Sequence, residues 1–441
     1  MKAWTHALDL AERTPEARNR YVDFLRALSI TAVVFGHWLM AAPWIGDGRL
    51  RLEHMLGVAP WTQWLTWGFQ VMPVFFIVGG YSNSASWSAA LRNGQPYGVW
   101  VGTRLRRLIG PIIPLLLFWA VIAMIAHRAS VSPAMIKYGS QAALIPIWFL
   151  AVYILVAVLV PVTHWAWRRF GVASFWVLVA CAVLVDYARF GGGFTAVGWV
   201  NYLFIWLAVH QMGYMWRDGH LGGFRKSVPW LLGGLAAMFA LVKLAGYPIS
   251  MVSVPGDAVS NTRPPSLAML ALSMMHGGLV LSLEGPARRL LHRTRFWATT
   301  ILVNGTIMSV YLWHMTAAVL LIGLLNLSGG IGLHIEPNTK EWWITRPAWM
   351  AALAVLLTLF LAVFGRFERL SEPKVPVDLP IWRVVLGSIL VCGALALIAV
   401  GGIGGVGGEG PLGIRIWPVA SALVGAALVG VGQHFGRRTV V

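Results

Sequence analysis

The sequence predicts an all-α fold: a polytopic transmembrane helix bundle of about twelve helices, with both termini in the cytoplasm. Three observations predict it. Hydrophobic residues make up 58% of the 441 and charged ones only 11%, with a mean hydropathy of +0.70. A soluble chain of this length does not need so much apolar surface, so lipid is the expected solvent. Apolar windows close to the ~20 residues that a spanning helix requires recur along the chain. The basic residues also alternate: counting Arg26, at the inner end of the first span, with the N-terminal tail, 24 of the 34 Lys and Arg fall in alternate gaps beginning with that tail. The positive-inside rule reads that bias as N-in and C-in. The net charge of +18 is then a topology signal and an attraction to anionic lipid, and no nucleic-acid partner is expected.

In chain order, residues 1–20 form a charged cytoplasmic tail without the apolar core and cleavage site of a signal peptide, so the first spanning helix serves as the insertion signal. Spans are expected at 22–42, 61–80, 108–126, 147–165, 172–185, 197–216, 228–245, 267–283, 299–325, 347–364, 384–403 and 416–432, the fifth being short. External stretches are expected near 42–60, 246–266 and 326–346. The second of these holds PGDAVSNTRPP, whose Pro and Gly favour an irregular loop. Residues 21–370 form the core, and 371–380 (SEPKVPVDLP) a linker. Residues 381–441 hold two additional transmembrane helices and a short cytoplasmic tail, Gly-rich and poor in ionisable groups, which read as an appendage. Cys181 and Cys392 lie in apolar runs and support neither a disulfide framework nor a metal site.

Ionisable residues inside spans are costly and are the natural candidates for chemistry. In the first helix, RYVDFLRALSITAVVFGHWLM, Arg26 and His37 lie about 20° past three full turns from each other and about 16 Å apart along the axis, so they share a face. Asp23, one turn before Arg26, can hold its guanidinium by an i, i+3 pair. An imidazole at that depth can take a proton from a hydroxyl while an anion binds below it. A snorkelling arginine and a histidine that bridges two helices would give the same pattern. Arg104 and Arg107, in RLRR before Pro111 and Pro114, are i, i+3 and can present two forked guanidiniums to one phosphate-bearing ligand, although juxtamembrane arginines also mark topology. Further polar signals are Asn83 in VFFIVGGYSNSASW, Trp148 and Tyr153 in IWFLAVY, Tyr311 and His314 in VYLWHM, and Glu368 in RFER. Asn304, seven residues before Tyr311, is expected on the same helix face. His210 and His276 are also intramembrane.

Taken in order, these segments resemble the acyltransferase-3 family of integral membrane O-acyltransferases. The resemblance rests on Arg26 with His37, FF-x-x-G-G ending helix two, R-x-x-R-L followed by Pro111 and Pro114, WFL-x-x-Y, YLWH, and Phe367 with Glu368. It covers roughly 18–370, and the family's ten-helix core leaves the last two helices as an addition. Val78-Gly79-Gly80 stands where many members read SGF, so a hydroxyl often present there is missing. The resemblance implies transfer of an acyl group, often acetyl, from cytoplasmic acyl-CoA to a hydroxyl of a glycan, glycolipid or glycosylated product. No cofactor is held permanently, and the location is the inner (plasma) membrane. It implies that His37 is the essential histidine, that Arg26 is its paired arginine with Asp23 behind it, and that Arg104 and Arg107 face the coenzyme A phosphates. Asn83, Trp148, Tyr153, Asn304, Tyr311, His314 and Glu368 remain as acceptor or pocket positions. A twelve-helix transporter or lipid flippase fits the topology equally. Against it, Asp and Glu lie almost wholly at helix ends, where proton coupling usually wants an intramembrane carboxylate. A structural partner in an envelope-synthesis complex is a third reading.

Overall fold

The computed structural model describes residues 2–16, 18–370, 377–405 and 412–432. The linker at 371–380 and the Gly-rich run at 401–410 fall partly outside the described residues, and Arg437 and Arg438 wholly so. The chain divides into two units. One comprises Met1–Ser88, Val160–Ile307 and Glu336–Lys340, the other Ala89–Leu159, Met308–Ile335 and Glu341–Val441.

Helix dominates both units. Among the described residues seven helices are long and apolar enough to cross a membrane, or up to nine if each of two bent pairs is one span. Twelve were expected. Among the described residues, three expected spans lie outside that count: Met72–Arg92, Asn201–Arg217 with 17 residues and Ile416–Leu428 with 13. The apolar stretch 147–165 is two helices, Ile147–Val158 and Val160–Phe170. The stretch 299–325 is likewise divided, into Thr294–Asn304 and Ile307–Leu327. Helix two begins at Met72 and runs to Arg92, because the Trp-rich segment before it forms a 3-10 turn, Pro60–Leu65, and one short helical turn.

In the first unit, the tail forms a helix, Lys2–Glu12, that packs on Thr294–Asn304. The helix Arg20–Met40 follows, its first turn capped by Asn19, whose side chain accepts from the Tyr21 N–H. Directly after it comes a β-hairpin, which departs from the all-α expectation. Ala41–Gly46 pairs antiparallel with Arg49–His54, in a register that sets Ala41 opposite His54 and Gly46 opposite Arg49. The two-residue turn, Asp47-Gly48, has positive φ at both positions, 52° and 71°. That is the geometry a two-residue hairpin turn needs, and Asp-Gly supplies it.

Helices Met72–Arg92 and Asn201–Arg217 of the same unit cross closely at Gly80 and Gly213. A Cβ on Gly80 would collide with the carbonyl of His210 and lie 3.1 Å from the Gly213 Cα. Small residues at a membrane helix crossing let backbones approach in this way, so packing explains the glycine at 80. The loop 246–266 is irregular, as expected, and is anchored by side chains. Asp186 accepts from Asn201 (2.9 Å), Tyr247 (3.1 Å) and the Leu267 N–H (2.7 Å). Asn261 donates to the carbonyls of Pro248 and Ser250 at 2.7 and 3.0 Å.

In the second unit, Ile381–Gly401 packs against Ile147–Val158 and pairs with Ile416–Leu428. Gln141 donates to the Val400 carbonyl at 2.7 Å and the Cys392 thiol to that of Ala151 at 3.2 Å. Both of these last helices belong to the second unit.

Candidate active site

The first unit carries Asp23, Arg26, His37, Asn83 and Asn304. The helix Arg20–Met40 sets Asp23 and Arg26 one turn apart, and their side chains meet at 3.3 Å. Asp23 is buried, and its second oxygen accepts from Arg18 at 2.8 Å. One carboxylate thus holds two guanidiniums, and Arg18 is a partner that helix spacing could not have revealed. A further anchor is Asn304, which donates to the backbone carbonyl of Asp23 at 2.9 Å. Arg26 also reaches Ser82 at 3.5 Å, across from helix Met72–Arg92. Its charge is fixed between Asp23 and Ser82 rather than free to snorkel. Asn83 faces elsewhere, bonding His210 at 3.1 Å.

His37 lies in the last turns of the same helix, half-buried, and its carbonyl accepts from the Ala41 N–H. Ala41 is the strand partner of His54, and the His54 ring lies within electrostatic range of His37. His54 Nδ1 accepts from the Leu56 N–H at 3.3 Å, which leaves Nε2 to carry the proton in the neutral ring. Burial pushes the His54 pKa down to about 4, so that ring is neutral near pH 7. The sequence reading missed His54. The Asp-Gly turn, which folds residue 54 back beside the end of the first helix, was the signal that could have found it.

The second unit carries Arg104, Arg107, Trp148, Tyr153, Tyr311, His314 and Glu368. Arg104 stacks on Trp100 at 4.0 Å and lies within electrostatic range of Tyr153 and Arg107. Arg106 turns the other way, buried, with Nε donating to the Gly102 carbonyl at 3.2 Å. Helix periodicity therefore sorts the basic cluster into a structural arginine and an i, i+3 pair.

Aromatic contacts tie the remaining positions together. Phe149 lies 5.7 Å from Tyr153 and 5.6 Å from Tyr311, and Trp148 packs against Phe149 at 6.3 Å. Tyr311 is buried and its hydroxyl donates to the Pro146 carbonyl at 2.8 Å. His314, fully buried, places Nδ1 2.7 Å from the Tyr311 carbonyl. Glu368 accepts from the N–H groups of Met308 and Ser309 at 3.2 and 2.9 Å and from the Ser309 hydroxyl at 2.6 Å. It is the anchor for the start of helix Ile307–Leu327. Asn304 and Tyr311, expected on one helix, lie on two, Thr294–Asn304 and Ile307–Leu327.

Chemically, the first unit offers an imidazole three turns along one helix from a fixed guanidinium, and the second offers a pair of forked guanidiniums. The chain is a multi-pass membrane protein by its apolar helices. A family model described as an acyltransferase domain matches residues 19–367, including Arg26, His37, Arg104 and Arg107. No curated protein and no solved structure matches the chain significantly. The matched span is most of the chain, and the chain therefore belongs to the acyltransferase-3 family and is an acyltransferase.

Proposed function

We propose that the protein transfers an acyl group, acetyl in the simplest case, from cytoplasmic acyl-CoA to a hydroxyl of a glycan, glycolipid or glycosylated product in the inner membrane. The observation that carries the reading is the family match running through the one helix that holds both His37 and the Asp23-fixed Arg26. His37 takes the proton of the acceptor hydroxyl as the oxygen attacks the thioester carbonyl. The C–O bond forms, the C–S bond breaks, and the leaving thiolate recovers the proton from the imidazolium. Direct transfer of this kind needs a neutral imidazole at the outset. An acyl-histidine intermediate is the less favoured variant, because it would need a second attack at the same ring. Arg26, Arg104 and Arg107 serve the anionic end of the donor, where bidentate guanidinium–phosphate contacts are strong. The family match also favours this enzyme over the transporter that the same topology allows.

The test is acyl transfer from acetyl-CoA by purified, well-folded His37→Ala. Turnover is expected to vanish, and retained turnover would rule out both the direct and the covalent variant.

A further inference from the structure

Attack of a hydroxyl on a thioester moves negative charge onto the carbonyl oxygen, and that oxygen is stabilised by a donor about 3 Å away. Arg26 is too far along the helix to supply one, about 16 Å from His37. His210, His276 and His314 are buried, and their rings already meet Asn83, the Trp67 carbonyl and the Tyr311 carbonyl.

His54 is placed differently. It closes the hairpin opposite Ala41, whose N–H donates to the His37 carbonyl. Paired strand residues stand about 5 Å apart, and Ala41 follows His37 by one helical turn, about 6 Å of rise. The two rings lie within electrostatic range of each other. The His54 ring is fixed from behind. Its Nδ1 accepts from the Leu56 N–H at 3.3 Å, and Leu56 is itself buried, its carbonyl held by Gln63 Nε2 at 3.0 Å. The Thr62 hydroxyl holds the neighbouring Met55 carbonyl at 3.2 Å. The ring is half-buried, and its Nε2 is not sealed in as Nδ1 of His210 and of His276 are.

The two histidines therefore differ in what they can do. His54 spends its lone pair on a backbone amide, so it cannot take up a proton without giving up that bond, and what it offers is an N–H. A neutral imidazole N–H can polarise a carbonyl. We propose that Nε2–H of His54 is the oxyanion donor of the acyl transfer, an inference that rests on the reading above with His37 as base. The acceptor hydroxyl gives its proton to His37 as the C–O bond forms. The charge arriving on the carbonyl oxygen meets the His54 N–H, which keeps its proton throughout. Collapse breaks the C–S bond, and the thiolate takes the proton back from His37. His37 is cationic in this step, and a second imidazolium beside it would repel it. A ring whose basic nitrogen is occupied avoids that.

Two substitutions separate the two ring nitrogens. Asn carries its oxygen near the place of Nδ1, so His54→Asn keeps the bond to Leu56 and removes the outer donor. Gln carries its amide N–H near the place of Nε2, so His54→Gln does the reverse. The assay is release of the coenzyme A thiol from acetyl-CoA by full-length, detergent-purified protein, with a lipid and glycan extract of the parent membranes supplying the acceptor. His54→Asn is expected to lower kcat about 10²- to 10³-fold, the worth of one oxyanion donor. Its KM for acetyl-CoA and its unfolding midpoint should stay in place. His54→Gln should unfold at a lower temperature, yet keep kcat at least about tenfold above the Asn variant. Parental kcat in His54→Asn would overturn the proposal. So would equal losses in both variants that track the unfolding midpoint, which would make His54 a structural cap alone. Should one variant not fold, the other decides: undiminished kcat with Asn, or a loss of about 10²-fold or more with Gln, overturns it. Turnover lost in His37→Ala but parental in His54→Asn would sink the donor and leave the base. Turnover retained in His37→Ala would sink the base, and the donor with it.

Discussion

Glu368 caps a helix that is not its own, and that makes its removal quantitatively predictable. It sits near the end of helix Lys340–Leu370, yet its carboxylate takes the N–H groups of Met308 and Ser309 and the Ser309 hydroxyl. The first N–H groups of any helix have no partner within it, and a carboxylate there is favoured further by the helix dipole. A cap is worth about 1–2 kcal/mol and a hydrogen bond to a charged group about 1.5–3 kcal/mol. Glu368 is half-buried, so water replaces part of what is lost, whereas Ser309 is buried and gains little from it. Glu368→Ala should therefore cost about 2–3 kcal/mol, and Glu368→Gln, which keeps one acceptor oxygen, about 1 kcal/mol. The loss is local, so the assay is amide hydrogen exchange. The Met308 and Ser309 amides should exchange roughly 30- to 150-fold faster in the Ala variant, while the hairpin amides of Ala41–His54 stay as they were. Ser309→Ala made on top of Glu368→Ala should add almost nothing, since the two remove one shared interaction. Exchange at these amides within about threefold of the parent would refute the cap assignment.

Gly80→Ala should destabilise by about 1–3 kcal/mol, because its Cβ meets backbone that cannot move aside. Gly233→Ala, with nothing within 4 Å, should be neutral or stabilising by up to about 1 kcal/mol. Thermal unfolding of both in detergent checks the pair, and equal midpoints would count against the close crossing. Asp23→Asn removes the charge that two arginines share, so turnover should fall at least about tenfold, while the folded yield holds. Unchanged kcat/KM would show that fixing Arg26 does not matter. His54 has a folded pKa of about 4, below its unfolded value of about 6.5. Between these values the unfolded chain binds the extra proton, so stability is full above about pH 6.5 and declines as pH falls toward 4. Midpoints measured from pH 7 to 5 should fall, with a flatter slope in His54→Gln. An identical slope would exclude His54 as a contributor.

The sequence revealed lipid as the solvent and the approximate place of most spans, because hydropathy averages over a window and is indifferent to local geometry. The same averaging concealed what happens inside a window. Leu159 and Gly305 interrupt apolar runs without lowering their hydropathy, and one helix ends and another begins at each. Residues 61–69 are apolar enough to be read as a span, yet Pro60 opens a 3-10 turn there and the long helix starts later. The hairpin was legible in principle, since Asp47-Gly48 between two short runs is a turn signal with a known mechanism. It was overlooked because charged strand residues such as Arg49 and Arg51 read as loop.

For the site, what could be read were pairs on a single helix. Asp23 with Arg26 follows from 3.6 residues per turn and needs no knowledge of packing. The partners that decide each side chain's role come from other helices: Arg18 and Asn304 on Asp23, Ser82 on Arg26, Ser309 on Glu368. This distinction bears on acceptor recognition. The Tyr311 hydroxyl is committed to the Pro146 carbonyl, and the Glu368 carboxylate to a helix start. Neither can turn to a sugar hydroxyl without surrendering an anchor worth about 1–3 kcal/mol. Substitution at either position should therefore lower stability and kcat together, with little effect on KM for the acceptor. A selective rise in acceptor KM, with stability intact, would place that residue on the substrate instead.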